Sequence, residues 1–454
     1  MKKLYRFSAI ALLVLPLVFT SCSDYLDRDD DDNITEADVF ARYEKVNGLV
    51  SDVYAAAKKA DRPLVFFEHF SNSAITDECE GTNVEGNITN NFNNGAWNPN
   101  SLPGSVGQYW EALYEGIRKA NLIIENVQKY NTPDNPQQDG DLRNRIGEMY
   151  FMRGYFHMLL LRMYGEAPYI DRVINAGDNM DFKKESVHSM VEKIVTDAQT
   201  AYGMVPNKYV KTSENFGRVD KGACLGLISF VRWVAATPLW NGASQYGYNL
   251  RRVFENEYAY DATRWRKAKE AAKAVLDFEV GGTKRYSLYT KHDANDFKDP
   301  ADGNLNDSRV YARLWDMFYD MDAFANEYVF FMTKSKDQAW QGDIYPPSRE
   351  GSSRQQPVQE QVDEYEYIVG DYGYPVYSAE ARKGGYDDTN PYVKGTRDPR
   401  FYRDVIYHGA PYRNNKNESK TINTASGSDK IGATNATTTG YYLRKFQQES
   451  WNKS

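Results

Sequence analysis

Between residues 106 and 278 apolar side chains recur every three or four positions, segment after segment. That period admits packed amphipathic helices and little else. In 139–164, Ile146, Met149, Tyr150, Arg153, Phe156, His157, Leu160 and Tyr164 share this spacing. Gly165 and Pro168 then supply a stop, with the glycine at the expected C′ position. The same pattern predicts helices over 106–130, 185–203, 218–240 (halted by Pro238) and 265–278. In the last, Ala268, Ala271, Ala272 and Val275 make a small, close-packing face. A further helix is expected over 35–57, where Thr35 is the N-cap and Asp38 stands three residues on, close to a capping box. The segments come in pairs with small residues at contact positions. That is the manner of tetratricopeptide-type hairpins, without a clean repeat of about 34 residues.

Two stretches break the period. Residues 71–105 are rich in Asn, Gly, Ser and Pro and read as a long loop. From about 279 onward the chain is again loop-rich, with short helices such as 309–320 and a strand expected at EYVFFMT, 327–333. The fold class expected is mainly α: a helical scaffold over 35–278 with a loop insertion near 71–105, followed by a loop-rich ligand-binding subdomain over 279–454.

The first thirty residues serve another purpose. Lys2, Lys3 and Arg6 precede an apolar run from Phe7 to Phe19, and small Thr20 and Ser21 follow. This is the layout of a secretory signal peptide over 1–21, too short for a membrane-spanning helix of about 20 apolar residues. Cys22 comes at once after it, which resembles a bacterial lipoprotein signal with Cys22 lipidated; Phe19 stands where such signals usually carry Leu. The alternative is a plain signal. Several acyl chains anchor firmly where one is marginal. Asp24, Asp27 and Asp29 to Asp32 then repel one another, so 22–34 is expected to be an extended, solvated tether.

Composition removes some functions. Net charge is −8, and loss of the three cations in the leader makes it more negative still. No basic cluster offsets this, so nucleic acid is an unsuitable partner. There is no HExxH, GxSxG, CxxC or glycine-rich phosphate loop, and the five His are scattered. An enzyme is therefore not expected, although a glycoside hydrolase needs only two carboxylates and stays as an alternative. No cofactor is expected. The loop 293–307 has the oxygens for Ca²⁺ but not the EF-hand spacing, and reads as solvated acid. Cys79 and Cys224 either pair or sit apart as small buried residues. Aromatic residues make up 14% of the chain, 35 of them Tyr, and such flat faces with polar handles suit sugar stacking.

Seven segments carry a resemblance: CSDYLD after the leader, YWEALYEGIRKANLIIENV, RNRIGEMYFMRGYFHMLLLRMYGEAPYID, FGRVDKGACLGLISFVRWVAATPLW, RWRKAKEAAKAVLDF, GTRDPRFYRDVIYHG and GYYLRKF, in that order. Together they resemble the SusD/RagB family of nutrient-binding outer-membrane lipoproteins of Bacteroidetes. The resemblance implies a tetratricopeptide-like helical fold and a non-enzymatic role. It implies a lipid-anchored, surface-exposed position at the outer membrane, where glycans, or peptides in the RagB branch, are captured for a SusC-like TonB-dependent transporter. Acid after the cysteine resembles a surface-export signal of such lipoproteins. Family members usually continue past the GYYLRKF-type segment into further helices; this sequence stops at Ser454. The resemblance therefore expects an apolar face left open if those helices are missing.

A sugar site needs exposed aromatic faces among polar donors and acceptors. Two loops qualify. One is NNFNNGAWNPN, 90–100, with Trp97; the other spans 335–356, with Trp340, Tyr345, Asp343, Arg349 and Arg354. In the family the loop leading into the PPS segment often carries ligand aromatics, which favours Trp340 and Tyr345. The dull reading of each is packing against its own loop. Trp110, Trp233 and Trp265, inside helices, are expected in the core, whereas Trp240 is ambiguous. Arg397, Asp398 and Arg400 of RDPRF are expected to hold a turn through charge-assisted hydrogen bonds.

Overall fold

A computed structural model gives the fold. It describes residues 34–445, apart from 62–65, 68–69, 82–87, 97, 99–103, 131–135, 210–213, 243–253, 291–313, 315–316, 319, 321–325, 333–341, 394 and 414–418.

The helices of the scaffold are α1 (Glu36–Phe40), α2 (Tyr43–Asp61), α3 (Ile88–Asn93), α4 (Gly104–Tyr130), α5 (Pro136–Tyr164), α6 (Val187–Met204), α7 (Lys221–Ala236) and α8 (Ala262–Asp277). The capping box at the start is present in full: Thr35 Oγ1 accepts from the Asp38 amide and Asp38 accepts from the Thr35 amide. Gly165 closes α5 at φ 72°, with its amide on the Leu161 carbonyl. α7 ends at Ala236, before Pro238. Where one helix of 35–57 was expected, a turn at Ala41–Arg42 divides it in two.

Successive helices pack on one another from α4 to α8, and α2 lies against both α4 and α5. α5 is the middle of this stack, so it is apolar on nearly every side. Met149, Phe151, Met152, Phe156, Leu159 and Leu160 are all buried. Close approach is built in: a Cβ on Gly116 of α4 would stand 2.5 Å from the Phe156 ring.

Two buried ionic networks join the helices. Arg153 of α5 meets Asp197 of α6 in a two-pronged pair at 2.7 and 2.5 Å, and donates to Asn121 Oδ1 of α4 at 2.9 Å. Tyr169 adds a hydroxyl to Asp197 at 2.6 Å. Glu148 of α5 accepts from Arg145, Arg218, Tyr54 and Tyr209 at 2.5, 2.8, 2.9 and 2.7 Å.

Before α3 the chain forms a short ladder of β1 (Phe66–Phe67) with β2 (Phe70–Ser71). After α8 the described chain forms further short ladders: β4 (Glu279–Val280) with β5 (Thr283–Lys284), β7 (Tyr367–Val369) with β8 (Tyr372–Tyr374), β9 (Val405–Ile406) with β12 (Tyr442–Leu443), and β10 (Pro411–Arg413) with β11 (Ser419–Thr421). Short helices α9 (Gln359–Asp363), α10 (Ala379–Lys383) and α11 (Pro399–Asp404) lie among them. RDPRF does hold a turn. Arg397, 2% exposed, donates to the carbonyls of Tyr365, Val362 and Pro391, Asp398 caps α11, and Arg400 pairs with Asp398.

Some expectations are corrected. Residues 327–332 form no strand; Phe330 instead plugs onto Phe151 and Tyr155, with ring centroids 4.9 and 5.5 Å apart. Trp233 and Trp265 are 51% and 43% exposed, because their helix faces are not covered by a neighbouring helix among the described residues. Trp110 is packed against Tyr114 and Tyr164 as expected. Cys79 and Cys224 are both free and buried. The calcium candidate 293–307 and most of 309–320 lie outside the described residues, as does Cys22. Among the described residues no cluster of His, Cys, Asp or Glu could hold a metal, and no helix is long and apolar enough to cross a membrane.

Candidate ligand-binding site

A two-residue ladder joins the loop region near 71–105 to the end of the 335–356 loop. β3 (Cys79–Glu80) pairs antiparallel with β6 (Gln356–Pro357). The Gln356 amide donates to Cys79 Sγ at 3.1 Å, and the Val358 amide to the Glu78 carbonyl at 3.3 Å. Residues 78–80 and 356–358 therefore form one base. Burial pushes the Cys79 thiol up to about 12, so it stays protonated and serves as a packing and accepting group.

Gln356 fixes that base. It is fully buried; its Oε1 accepts from the Thr438 amide, Thr438 Oγ1 and Thr437 Oγ1 at 2.6, 2.9 and 3.2 Å. Its Nε2 donates to the Ser353 carbonyl at 2.9 Å. A side-chain amide so fully satisfied in a dry setting pins its surroundings. Residues 342–354 double back on themselves. The Arg354 amide meets the Asp343 carbonyl at 2.7 Å, the Ser352 amide the Gly342 carbonyl at 2.9 Å, and Arg354 Nε pairs with Asp343 Oδ1 at 3.2 Å. Gly351 is required at the closest approach, since a Cβ there would lie 1.9 Å from the Tyr345 carbonyl oxygen.

The five ligand candidates separate into three groups. Trp97 and Trp340 lie outside the described residues. Asp343 is at the loop base, tied to Arg354. Tyr345 and Arg349 point inward: Tyr345 is 7% exposed and packs with Ile406, Tyr412, Ile422 and Tyr442. Arg349 places its guanidinium 4.9 Å from the Tyr412 ring centroid and donates to the Tyr412 carbonyl. Both support the loop from beneath and offer no open face to a ligand here. In a polar loop a Tyr looks like a stacking platform, but the small core formed by residues 405–442 takes its ring first. Gln356, Thr437 and Thr438 went unnoticed in the sequence, where nothing in their local pattern marks them.

Two concavities lie on the helical scaffold. One, of about 610 Å³, is apolar and lies between α5, α7, α8 and Phe330, with exposed Trp233 on its wall. The other, of about 200 Å³, is polar and lies where α6, α7 and the start of α8 meet. Trp240 closes on the scaffold near this second one, edge-on to Tyr258 at 5.2 Å.

Comparison with known proteins gives a consistent result. Residues 24–231 match a SusD-like family described as "Starch-binding associating with outer membrane". SusD-like protein P2 of Formosa agariphila is 24% identical over 202 residues, which is 44% of this chain and 38% of that protein, so the match spans well under half of that relative. Two solved structures from Bacteroides fragilis share the fold. A SusD-like protein superposes with TM-score 0.63 at 18% identity, covering 93% of this chain and 70% of its own. A SusD-like carbohydrate-binding protein does so with TM-score 0.64 at 14% identity, covering 91% and 69%.

Proposed function

We propose that this chain, whose residues 24–231 match the SusD-like family, is a glycan-binding protein that captures oligosaccharides at the outer membrane and delivers them to a TonB-dependent transporter. The family match carries the reading: its description joins starch binding to the outer membrane, and one solved relative of the same fold is a carbohydrate-binding protein. The ladder between β3 and β6 supports it, because it fixes the described end of the 335–356 loop against the loop region near 71–105. Preorganised loops lose less freedom when a ligand binds. The same reading takes lipid on Cys22 as the anchor, a surface-exposed position, and capture without turnover.

The test uses a soluble Cys22→Ser form that circular dichroism shows to be folded. Affinity electrophoresis against a panel of plant, host and microbial glycans should show retardation by at least one, with no new reducing ends. Trp340→Ala should then weaken retardation, since stacking on one aromatic face is worth about 1 kcal/mol or more. Release of sugar would replace this reading with a glycosidase, and retention of peptides alone would replace the ligand class.

A further inference from the structure

The polar pocket on the scaffold has no part in the glycan site described above. It is lined by His188 and Glu192 of α6, Arg232 of α7, and Asp261, Arg264 and Lys267 at the start of α8. Its charges do not balance. Arg232 grips Glu192 with both prongs, at 2.5 and 2.7 Å, and Lys267 reaches the same carboxylate at 3.1 Å. One carboxylate thus serves two cations. Asp261 is occupied as the cap of α8, accepting from the amide and hydroxyl of Thr263, each at 2.8 Å.

Arg264 is the third cation and is held differently. Its Nη1 donates to Asn241 Oδ1 and the Ala259 carbonyl at 2.8 and 2.7 Å, and its Nη2 to the Glu257 carbonyl at 2.9 Å. All three acceptors are neutral. Among the described residues no carboxylate lies within ion-pairing distance of this guanidinium. Asn241 is itself buried and fixed by the Asp261 amide at 2.7 Å, so Arg264 is oriented in advance. Asp261 and Glu257 act on it only without direct contact, so this cation, partly withdrawn from water, keeps neutral hydrogen-bond partners, and a bound anion removes part of the cost of its burial.

We propose that this pocket binds an oxyanion, the carboxylate of an acidic sugar or a free inorganic ion of the same charge. Size favours a single group. Sites for drug-sized ligands run from about 300 Å³ upward, and this cavity is about 200 Å³. It takes one anionic group and leaves the rest of any larger molecule outside.

His188 is the built-in reporter. Its Nε2 donates to the Trp240 carbonyl at 2.9 Å. Burial, with Arg264 next, pushes it down to about 4, while the bond to the Trp240 carbonyl and then Glu257 and Glu192 act the other way. An oxyanion between Arg264 and Lys267 reverses that balance and stabilises the imidazolium.

The experiment titrates the full chain with inorganic phosphate, D-glucuronate and D-glucose, in sodium chloride of matched ionic strength, following the His188 ring by NMR. Phosphate and glucuronate should each raise the His188 pKa by about one unit; glucose should leave it where it is. Lys267→Gln, an exposed position, should weaken oxyanion binding roughly tenfold, while Lys119→Gln, an exposed position on α4 outside the pocket, should not. Glucuronate bound much more tightly than phosphate identifies an acidic sugar as the source; equal affinity identifies a free ion. A His188 shift no larger than in sodium chloride alone, or the same shift in Lys267→Gln, overturns the proposal whatever the glycan panel shows.

Discussion

In the helical scaffold a buried arginine meets a carboxylate; in the loop-rich region it meets backbone carbonyls. Arg153 has Asp197, and Arg145 and Arg218 share Glu148. Arg397 has the carbonyls of Tyr365, Val362 and Pro391, Arg349 that of Tyr412, and Arg444 that of Tyr402 at 3.0 Å. Among the described residues Arg403, beside Asp404, and Arg285, 3.5 Å from Asp220, break the division. The reason lies in where backbone acceptors go. Inside a helix each carbonyl is already taken by the amide four residues on, so a buried cation must find a side-chain acceptor. Irregular backbone leaves carbonyls unclaimed, and an arginine with five donors gathers several at once. The two regions use the same residue to opposite ends: in one it joins finished helices, in the other it takes the place of the secondary structure that is missing.

The largest expected effect is on the scaffold. Arg153→Met leaves Asp197 buried without its guanidinium partner and should cost about 3–5 kcal/mol. Urea denaturation should show one cooperative transition at lower midpoint, because α4, α5 and α6 lose their common junction. Arg397→Met comes next. It strands two or more buried carbonyls at about 1–3 kcal/mol each, and hydrogen exchange should speed up first around α9 and α11. If exchange instead rises equally in α5, the two regions are one cooperative unit and the comparison fails in energetic terms.

Acid sharpens the contrast, since the scaffold holds a histidine that must stay neutral. His157 Nδ1 donates to the Arg153 carbonyl at 2.8 Å while Nε2 accepts from the Ile170 amide at 3.1 Å. A second proton would point at that amide. Burial pushes His157 down to about 3, against about 6.5 in the unfolded chain. The folded value is the lower one, so the unfolded chain takes up the proton first. This stability is complete above about pH 6.5 and is lost as pH falls toward 3, by up to about 1.4 kcal/mol per unit. His157→Gln should flatten the pH dependence of the urea midpoint in that window.

The same comparison explains what the sequence reveals. Helices announce themselves by local period: Thr35 with Asp38, Gly165 and Pro238 lie within a residue or two of where the helices start and stop. Which face is covered is not local. Trp233 and Trp265 obey the helical period and still face outward, since no sequence pattern says whether a neighbour arrives. The ladder of β3 with β6 is two residues long and joins positions 277 apart, so neither length nor alternation could betray it. Tyr345 and Arg349 were legible as residues able to bind a sugar, but a Tyr able to stack on a sugar can also pack edge-on against Tyr412, and the fold uses it there.

The smallest effect on stability should come from Arg354→Gln, and its value lies in that smallness. The pair with Asp343 is partly exposed, with side chains 31% and 14% accessible. Such pairs contribute about 0–1 kcal/mol, and the Arg354 amide keeps its bond to the Asp343 carbonyl whatever the side chain. The urea midpoint should scarcely move. The pair nonetheless ties the two ends of 342–354 together, directly after the stretch of sequence that contains Trp340. Retardation by the glycan that binds the parent protein should therefore fall while the fold is intact. A variant with a normal midpoint and weaker retardation would place the function of this loop in its geometry. A variant normal in both would confine the site to side chains beyond the ladder, and one unstable in both would make the loop base part of the structural core, as Arg153 is for the helices.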